Sequence, residues 1–200
     1  MQLEVSLFHR MATTVVSRFS TLGLIPRNVT HARIDPSVKV VKTSAFSRCS
    51  ELVEVELCEG LQVIGESAFS DCVSLKTIKG GLPKSLKRIE SEAFLCCKRL
   101  EEVVLPEGLR FIGYCAFSEC GLASIKVPST VKVIGTMAFD ECEQLVDVEL
   151  CEGVEEIDSR AFQNCTALKS LKIPSTLKKL SKDSLNGCNN ELVIERLGGS

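Results

Sequence analysis

The chain of 200 residues is 44% hydrophobic and 25% charged, with 24 basic and 26 acidic residues and a formal net charge of -2. That is enough to bury a core as one or two domains, and too evenly balanced to give nucleic acid a sequence-wide basic footprint. No apolar run reaches the roughly 20 residues of a membrane-spanning helix, because a charge, Gly or Pro punctuates each one. The two histidines, His9 and His31, both precede residue 35, so the commonest general base and metal ligand is missing from most of the chain.

Residues 1–31 form a segment of their own. From Val5 to Ile34 there is no acidic residue, whereas Arg10, Arg18, Arg27 and Arg33 are present. Phe8, Met11, Val15, Phe19 and Leu22 recur at helical spacing with Arg10, Thr14 and Arg18 opposite, which predicts a basic amphipathic helix ending near Pro26. Such a helix could cap the open core of the first repeat. Its Arg- and Ser-rich, acid-poor character equally suits an organelle transit segment, and its moment suits a membrane-surface or partner helix. No basic stretch precedes a continuous apolar core, so a secretory signal is not expected and the sequons at Asn28 and Asn164 should be idle.

Residues 32–195 are repetitive. Ala-Phe recurs at Ala45-Phe46, Ala68-Phe69, Ala93-Phe94, Ala116-Phe117, Ala138-Phe139 and Ala161-Phe162, with a degenerate copy at Ser184-Leu185. The steps between these landmarks are 23, 25, 23, 22, 23 and 23 residues. Three residues after each stands a cysteine: Cys49, Cys72, Cys97, Cys120, Cys142, Cys165 and Cys188. Five residues before each stands an aliphatic residue, from Val41 and Ile64 through to Leu180. Eight before, the same holds from Val38 and Leu61 to Leu177.

Between landmarks run alternating segments such as Leu52-Val53-Glu54-Val55-Glu56-Leu57, whose period of two predicts one strand per repeat. The rest of the unit carries a turn at Gly60 and a compact stretch expected to form one helical or 3₁₀ turn that packs Phe inward. A unit of 23 residues cannot bury its apolar face alone, so the copies must stack into a solenoid. Gly80-Gly81 lengthens the third unit by two residues, and the step from Cys120 to Ile125 is one shorter than that from Cys97 to Val103. Both edits should fall in or beside strands as a bulge or misregister. Ala32 and Ile34 fill inward slots ahead of the first landmark, and Leu192, Val193 and Ile194 offer a last strand before a tail at 196–200.

The run L-x-x-V-x-L at Leu52, Val55 and Leu57 resembles the strand segment of leucine-rich repeats. The longer pattern P-x-x-V-x-x-I-G-x-x-A-F-x-x-C-x-x-L-x-x-V-x-L, nearly whole from Pro128 to Leu150, is similar to the BspA-like subfamily. The resemblance covers 32–195. It implies an α/β leucine-rich-repeat solenoid, a right-handed coil with parallel strands on the concave face and short helical or 3₁₀ turns on the convex side. Members are mostly surface proteins with adhesive or partner-binding roles, and the fold itself carries no chemistry.

Seven of the 11 cysteines share one register and should act as small apolar core residues. Cys58 and Cys151 take the slot of Pro83, Pro106, Pro128 and Pro174, Cys115 lies two before Phe117, and Cys96 adjoins Cys97. Off-register Cys58, Cys115 and Cys151 should therefore react faster with thiol reagents than Cys72 or Cys120. No C-x-x-C pair is followed by a His or a second pair, so no metal site, cofactor or catalytic residue is assigned. An odd number of thiols favours a reducing intracellular compartment and counts against secretion.

In parallel in-register strands the residues between the inward ones share one face. One outward row reads Glu54, Thr77, Glu102, Ser124, Asp147 and Ser170; the next reads Glu56, Lys79, Val104, Lys126, Glu149 and Lys172. Acidic and basic or neutral repeats alternate. These twelve residues are either a cross-strand ion-pair ladder that pins register or a stripe that reads a partner. Three functions follow: a non-enzymatic binding or scaffold module docking a protein on the concave face, a structural subunit of a larger, organellar assembly, and a thiol enzyme or redox sensor. The last needs an exposed thiol of low pKa. Neither nucleic acid nor a membrane-spanning segment is expected.

Overall fold

The computed structural model describes residues 13–16 and 25–197. Each full unit supplies two kinds of strand, where the sequence predicts one. The longer strands, of three or four residues, are β1 (Thr13–Val16), β2 (His31–Ile34), β4 (Glu54–Glu56), β6 (Thr77–Lys79), β9 (Ser124–Val127), β11 (Asp147–Leu150), β13 (Ser170–Ile173) and β15 (Val193–Arg196). Between them in the chain lie two-residue strands: β3 (Val40–Val41), β5 (Val63–Ile64), β7 (Arg88–Ile89), β8 (Phe111–Ile112), β10 (Val133–Ile134), β12 (Glu156–Ile157) and β14 (Lys179–Leu180). The short ones form one seven-stranded parallel sheet, the long ones two four-stranded parallel sheets, β1-β2-β4-β6 and β9-β11-β13-β15.

The landmark phenylalanines stack in one column inside. Successive rings from Phe46 to Phe162 lie 5.0–5.5 Å apart at interplanar angles of 3–11°. All six are fully buried, as are Leu61, Leu86, Ile64, Ile89 and Ile134 from the aliphatic slots. Parallel strands about 4.8 Å apart set this spacing, so one side chain per rung produces a continuous stack rather than an interdigitated core.

No helix occurs among the described residues, and the expected helical or 3₁₀ turns are chains of β-turns instead. In the second unit, N–H groups of Ala68, Ser70 and Cys72 donate to the carbonyls of Gly65, Ser67 and Phe69, three overlapping turns. Ser67 and Asp71 have φ of 51° and 59°, and the same two slots are left-handed in every unit from Ser44 and Arg48 to Arg160 and Asn164. A positive φ two residues either side of Phe ends any right-handed helical run. In exchange the alternate peptide groups point to the next unit, as when Ser67, Phe69 and Asp71 donate to Ser91, Ala93 and Leu95. Twelve non-glycine residues in that conformation are held by this ladder.

The two sequence edits act differently. Gly80 and Gly81, at φ of 77° and 78°, bud outward after β6, and Leu82 regains the inward slot. A side chain on either glycine would meet nothing within 4 Å. The deletion lies in a turn, where Gly121 lets Leu122 reach the core; a methyl there would clash with the Lys98 carbonyl oxygen. Between the edits, residues 101–105 keep strand-like burial, with Val103 and Leu105 inside, yet form no strand. Among the described residues their ladder is reduced to the Ala123 N–H donating to the Glu101 carbonyl. The expected local misregister is therefore a break between the two four-stranded sheets, crossed by that one bond.

At the N-terminal end β2 buries Ala32 and Ile34 as expected. Thr13–Val16, read as part of a helix, is instead β1, parallel and in register with β2. Four consecutive β-branched residues favour extended backbone. The rest of the amphipathic segment, apart from residues from Ile25 onward, lies outside the described residues. At the other end β15 pairs with β13. Its inward Ile194 is 44% exposed where Leu171 of β13 is 0%, and Leu180 of β14 is 40% exposed where Ile157 of β12 is 0%. Among the described residues nothing stacks on this last rung.

Candidate functional site: the outward strand positions

The sheet register brings ten of the twelve candidate residues into two rows. Glu54 pairs with Thr77 and Glu56 with Lys79; Ser124, Asp147 and Ser170 form one continuous rung set, Lys126, Glu149 and Lys172 another. Glu102 and Val104 lie in the break between sheets, exposed but outside any strand. The alternation predicted from sequence is realised as contacts. Lys79 Nζ lies 4.0 Å from Glu54 and 3.8 Å from Glu56, and Lys126 Nζ lies 2.6 Å from Glu149, whose carboxylate raises the lysine pKa. These exposed pairs are each worth a few tenths of a kcal/mol, about 0.2–1. Sequence reading missed two members: Arg33, 3.6 Å from Glu56, and Glu195, in register with Lys172. The alternation of His31-Ala32-Arg33-Ile34 carried the signal for Arg33.

Similar pairs bind neighbouring units off this face. Arg48 meets Asp71 at 3.8 Å, Lys98 meets Glu119 at 3.4 Å, and Lys178 meets Glu155 at 2.6 Å. The charges of the stack thus mostly serve adjacent rungs. On the strand face Asp147 and Lys172 have no ion pair among the described residues, and in the break Val104, 65% exposed, replaces a charge.

The register cysteines do more than fill space. The S–H groups of Cys72, Cys97, Cys120, Cys142, Cys165 and Cys188 each donate to the carbonyl of the landmark Phe one unit back, at 3.1–3.3 Å. Burial pushes Cys72 up to about 12 and raises Cys120 and Cys142 well above the usual thiol value. Cys96 is raised to about 12 by burial and by a hydrogen bond with Glu119. Each of these thiols is held in the form opposite to the thiolate that catalysis or redox sensing requires. Cys115 is corrected: it is buried, at 7% exposure, against the Met137 sulfur. Cys58 and Cys151 are half-buried, and Cys58 donates to the Asp35 carbonyl at 3.2 Å. All eleven cysteines are free.

Among the described residues no three His, Cys, Asp or Glu side chains are placed to hold a metal ion, and no helix is long and apolar enough to cross a membrane. The short-strand sheet carries a shallow, open depression of about 640 Å³ beside Val40, Val63, Glu66 and Glu90, with no enclosing walls.

A parallel stack of strand-and-turn rungs around one core, with its charges paired from rung to rung, defines a leucine-rich-repeat solenoid. Residues 26–112 and 79–191 match the profile of the BspA type Leucine rich repeat region in six copies, and the chain belongs to that family. It is similar to a leucine-rich repeat protein from Bacteroides ovatus ATCC 8483, at 28% identity over 91% of this chain and 47% of that one, with a TM-score of 0.63. It is similar to the T. pallidum leucine-rich repeat protein TpLRR, at 28% identity over 92% and 78%, TM-score 0.66. The fold is also that of the pneumococcal vaccine antigen PcpA, at 19% identity over 92% and 42%, TM-score 0.52. The chain thus spans about half the length of the B. ovatus protein. No match was found among curated proteins.

This comparison corrects the compartment favoured from sequence. A fold shared with a vaccine antigen is not confined to the reducing interior of a cell, and secretion cannot be discounted from an odd thiol count. The structure gives the physical reason: the register thiols are buried and donate to carbonyls, so their reduced state reports packing and not compartment.

Proposed function

We propose that this chain is a non-enzymatic protein-interaction module whose partner docks across the outward strand positions. One observation supports the reading: Val104, the single apolar member of the twelve, is 65% exposed in the break between the sheet whose edge strand β6 carries Lys79 and the sheet whose edge strand β9 carries Lys126. An exposed apolar side chain flanked by charges has the make-up of an interface centre with a polar rim. Family membership supports an interaction role, since leucine-rich repeats present side chains gathered from distant sequence on one face.

The test compares capture of the native partner by the wild type, by Val104→Asp and by a triple variant, Lys79→Glu, Lys126→Glu and Lys172→Glu. A docking stripe predicts at least roughly tenfold weaker capture in both variants, with melting temperature lowered only modestly. Unchanged capture by well-folded variants would move the site off this face. A large loss of stability with capture intact in the surviving fraction would reduce the stripe to a register ladder.

A further inference from the structure

The short-strand sheet presents a second surface of different chemistry. Its outward residues are Val40, Val63, Arg88, Phe111 and Val133 over the first five rungs. Val40 is 47% exposed, Phe111 36% and Val133 37%, and the Arg88 guanidinium sits 4.2 Å from the centre of the Phe111 ring. One residue earlier in each unit stands a mostly basic row, Lys39, Lys87, Arg110 and Lys132, broken only by Gln62. Backbone bonds tie the row together rung by rung, with Gln62, Lys87 and Arg110 each donating to the carbonyl of the preceding member.

Lys132 meets Glu155 at 3.6 Å, but the other three cations of the row differ from those of the strand face. Among the described residues no carboxylate lies within 4 Å of Lys39, Lys87 or Arg110, whereas Lys79 and Lys126 both have acidic partners. Two acids line the depression on this face: Glu90 is taken by Arg88 at 2.6 Å, and Glu66 stays exposed beside Val40 and Val63. Two of the ammonium groups lie over turn glycines of the next unit: a methyl at Gly60 would come 2.6 Å from Lys39 Nζ, and one at Gly108 2.7 Å from Lys87 Nζ. The turn glycines thus leave room for the two lysines to lie against the next unit.

We propose that this surface binds an acidic, extended peptide segment of a partner protein, with carboxylates on Lys39, Lys87 and Arg110 and apolar side chains on Val40, Val63 and Phe111. Charge complementarity selects the acid. The parallel apolar row selects a peptide over a polyanion such as heparin, which has nothing to lay against valine and phenylalanine. The proposal stands independently of the strand-face reading, because the two surfaces share no residue.

The test uses the whole chain and a fluorescein-labelled peptide of alternating Asp and Leu, with fluorescence anisotropy as readout. Saturable binding that weakens roughly tenfold or more in the double variant Lys87→Glu and Arg110→Glu, and severalfold in Phe111→Ser, is the expected result. Lys79→Glu with Lys126→Glu, on the other face, should leave it unchanged. Circular dichroism melts confirm that each variant is folded. Absence of saturable binding, equal loss in the strand-face variant, or a heparin fragment that binds more tightly through the same two cations would each overturn the proposal.

Discussion

Phe117 lies mid-column, with the rings of Phe94 and Phe139 at 5.2 and 5.5 Å. Its truncation to Ala leaves a cavity that the flanking rings, held by their own rungs, cannot fill. The expected loss is about 3–5 kcal/mol in urea unfolding, against a clearly smaller loss for Leu185→Ala in the half-buried end unit. Asp140 is the misfit of the turn ladder. It occupies the slot of Ser47, Ser70 and Ser118, is 9% exposed, and its Oδ1 has no hydrogen-bond partner. Burial raises its pKa above the usual carboxylate value, and the neighbouring Glu141 adds to the shift. A raised folded pKa means that the native state binds the proton more tightly than the unfolded chain. The penalty is therefore present above the folded value and disappears as pH falls through it to the ordinary carboxylate value. Asp140→Ser should be more stable than the wild type by about 1 kcal/mol near neutrality. That advantage should shrink as the two are compared by thermal melts at successively lower pH. An advantage constant with pH would refute the assignment.

Among the elements, the break at 101–105 is the feature with the clearest cause to test. Deleting Gly80 and Gly81 restores a 23-residue step and removes the outward bud beside β6. Segment 101–105 can then continue the β1-β2-β4-β6 sheet. Amide exchange should slow at Glu102 and Val104, and the melting temperature should rise by several degrees, roughly 2–4 °C for each kcal/mol gained. Unchanged exchange would place the cause in the shortened turn at Gly121. The elements also show what sequence could and could not convey. Phe, Cys and aliphatic slots were legible because one kind of residue recurs at each, buried throughout the interior units. The left-handed slots were not, since Ser, Arg, Glu, Cys, Met, Asp and Asn occupy them and a glycine marks only one, Gly187 of the degenerate last unit. Two-residue strands such as β5 and β12 are too short for a period of two to register, so the second sheet, and with it the basic and apolar face, was invisible.

For the whole molecule, sequence sufficed for the stack and its family, because a repeated unit states its own boundaries. The candidate site was legible as a charged row with an ion-pair ladder as one reading; the break between the sheets at Glu102 and Val104 was not, since it depends on how each rung meets the next. The central claim is one continuous core, from Val29 to Ile173, in which cysteines at a fixed slot are sealed behind the phenylalanine column. The protein carries its own reporters. Native-state labelling with a thiol reagent, mapped residue by residue by mass spectrometry, reads the core at five interior rungs at once. Cys72, Cys97, Cys120, Cys142 and Cys165 should react together and only as fast as the chain unfolds, roughly a hundredfold or more slower than half-buried Cys58 and Cys151. Interior cysteines that label as readily as Cys58, or at widely different rates from one rung to the next, would contradict a single sealed stack.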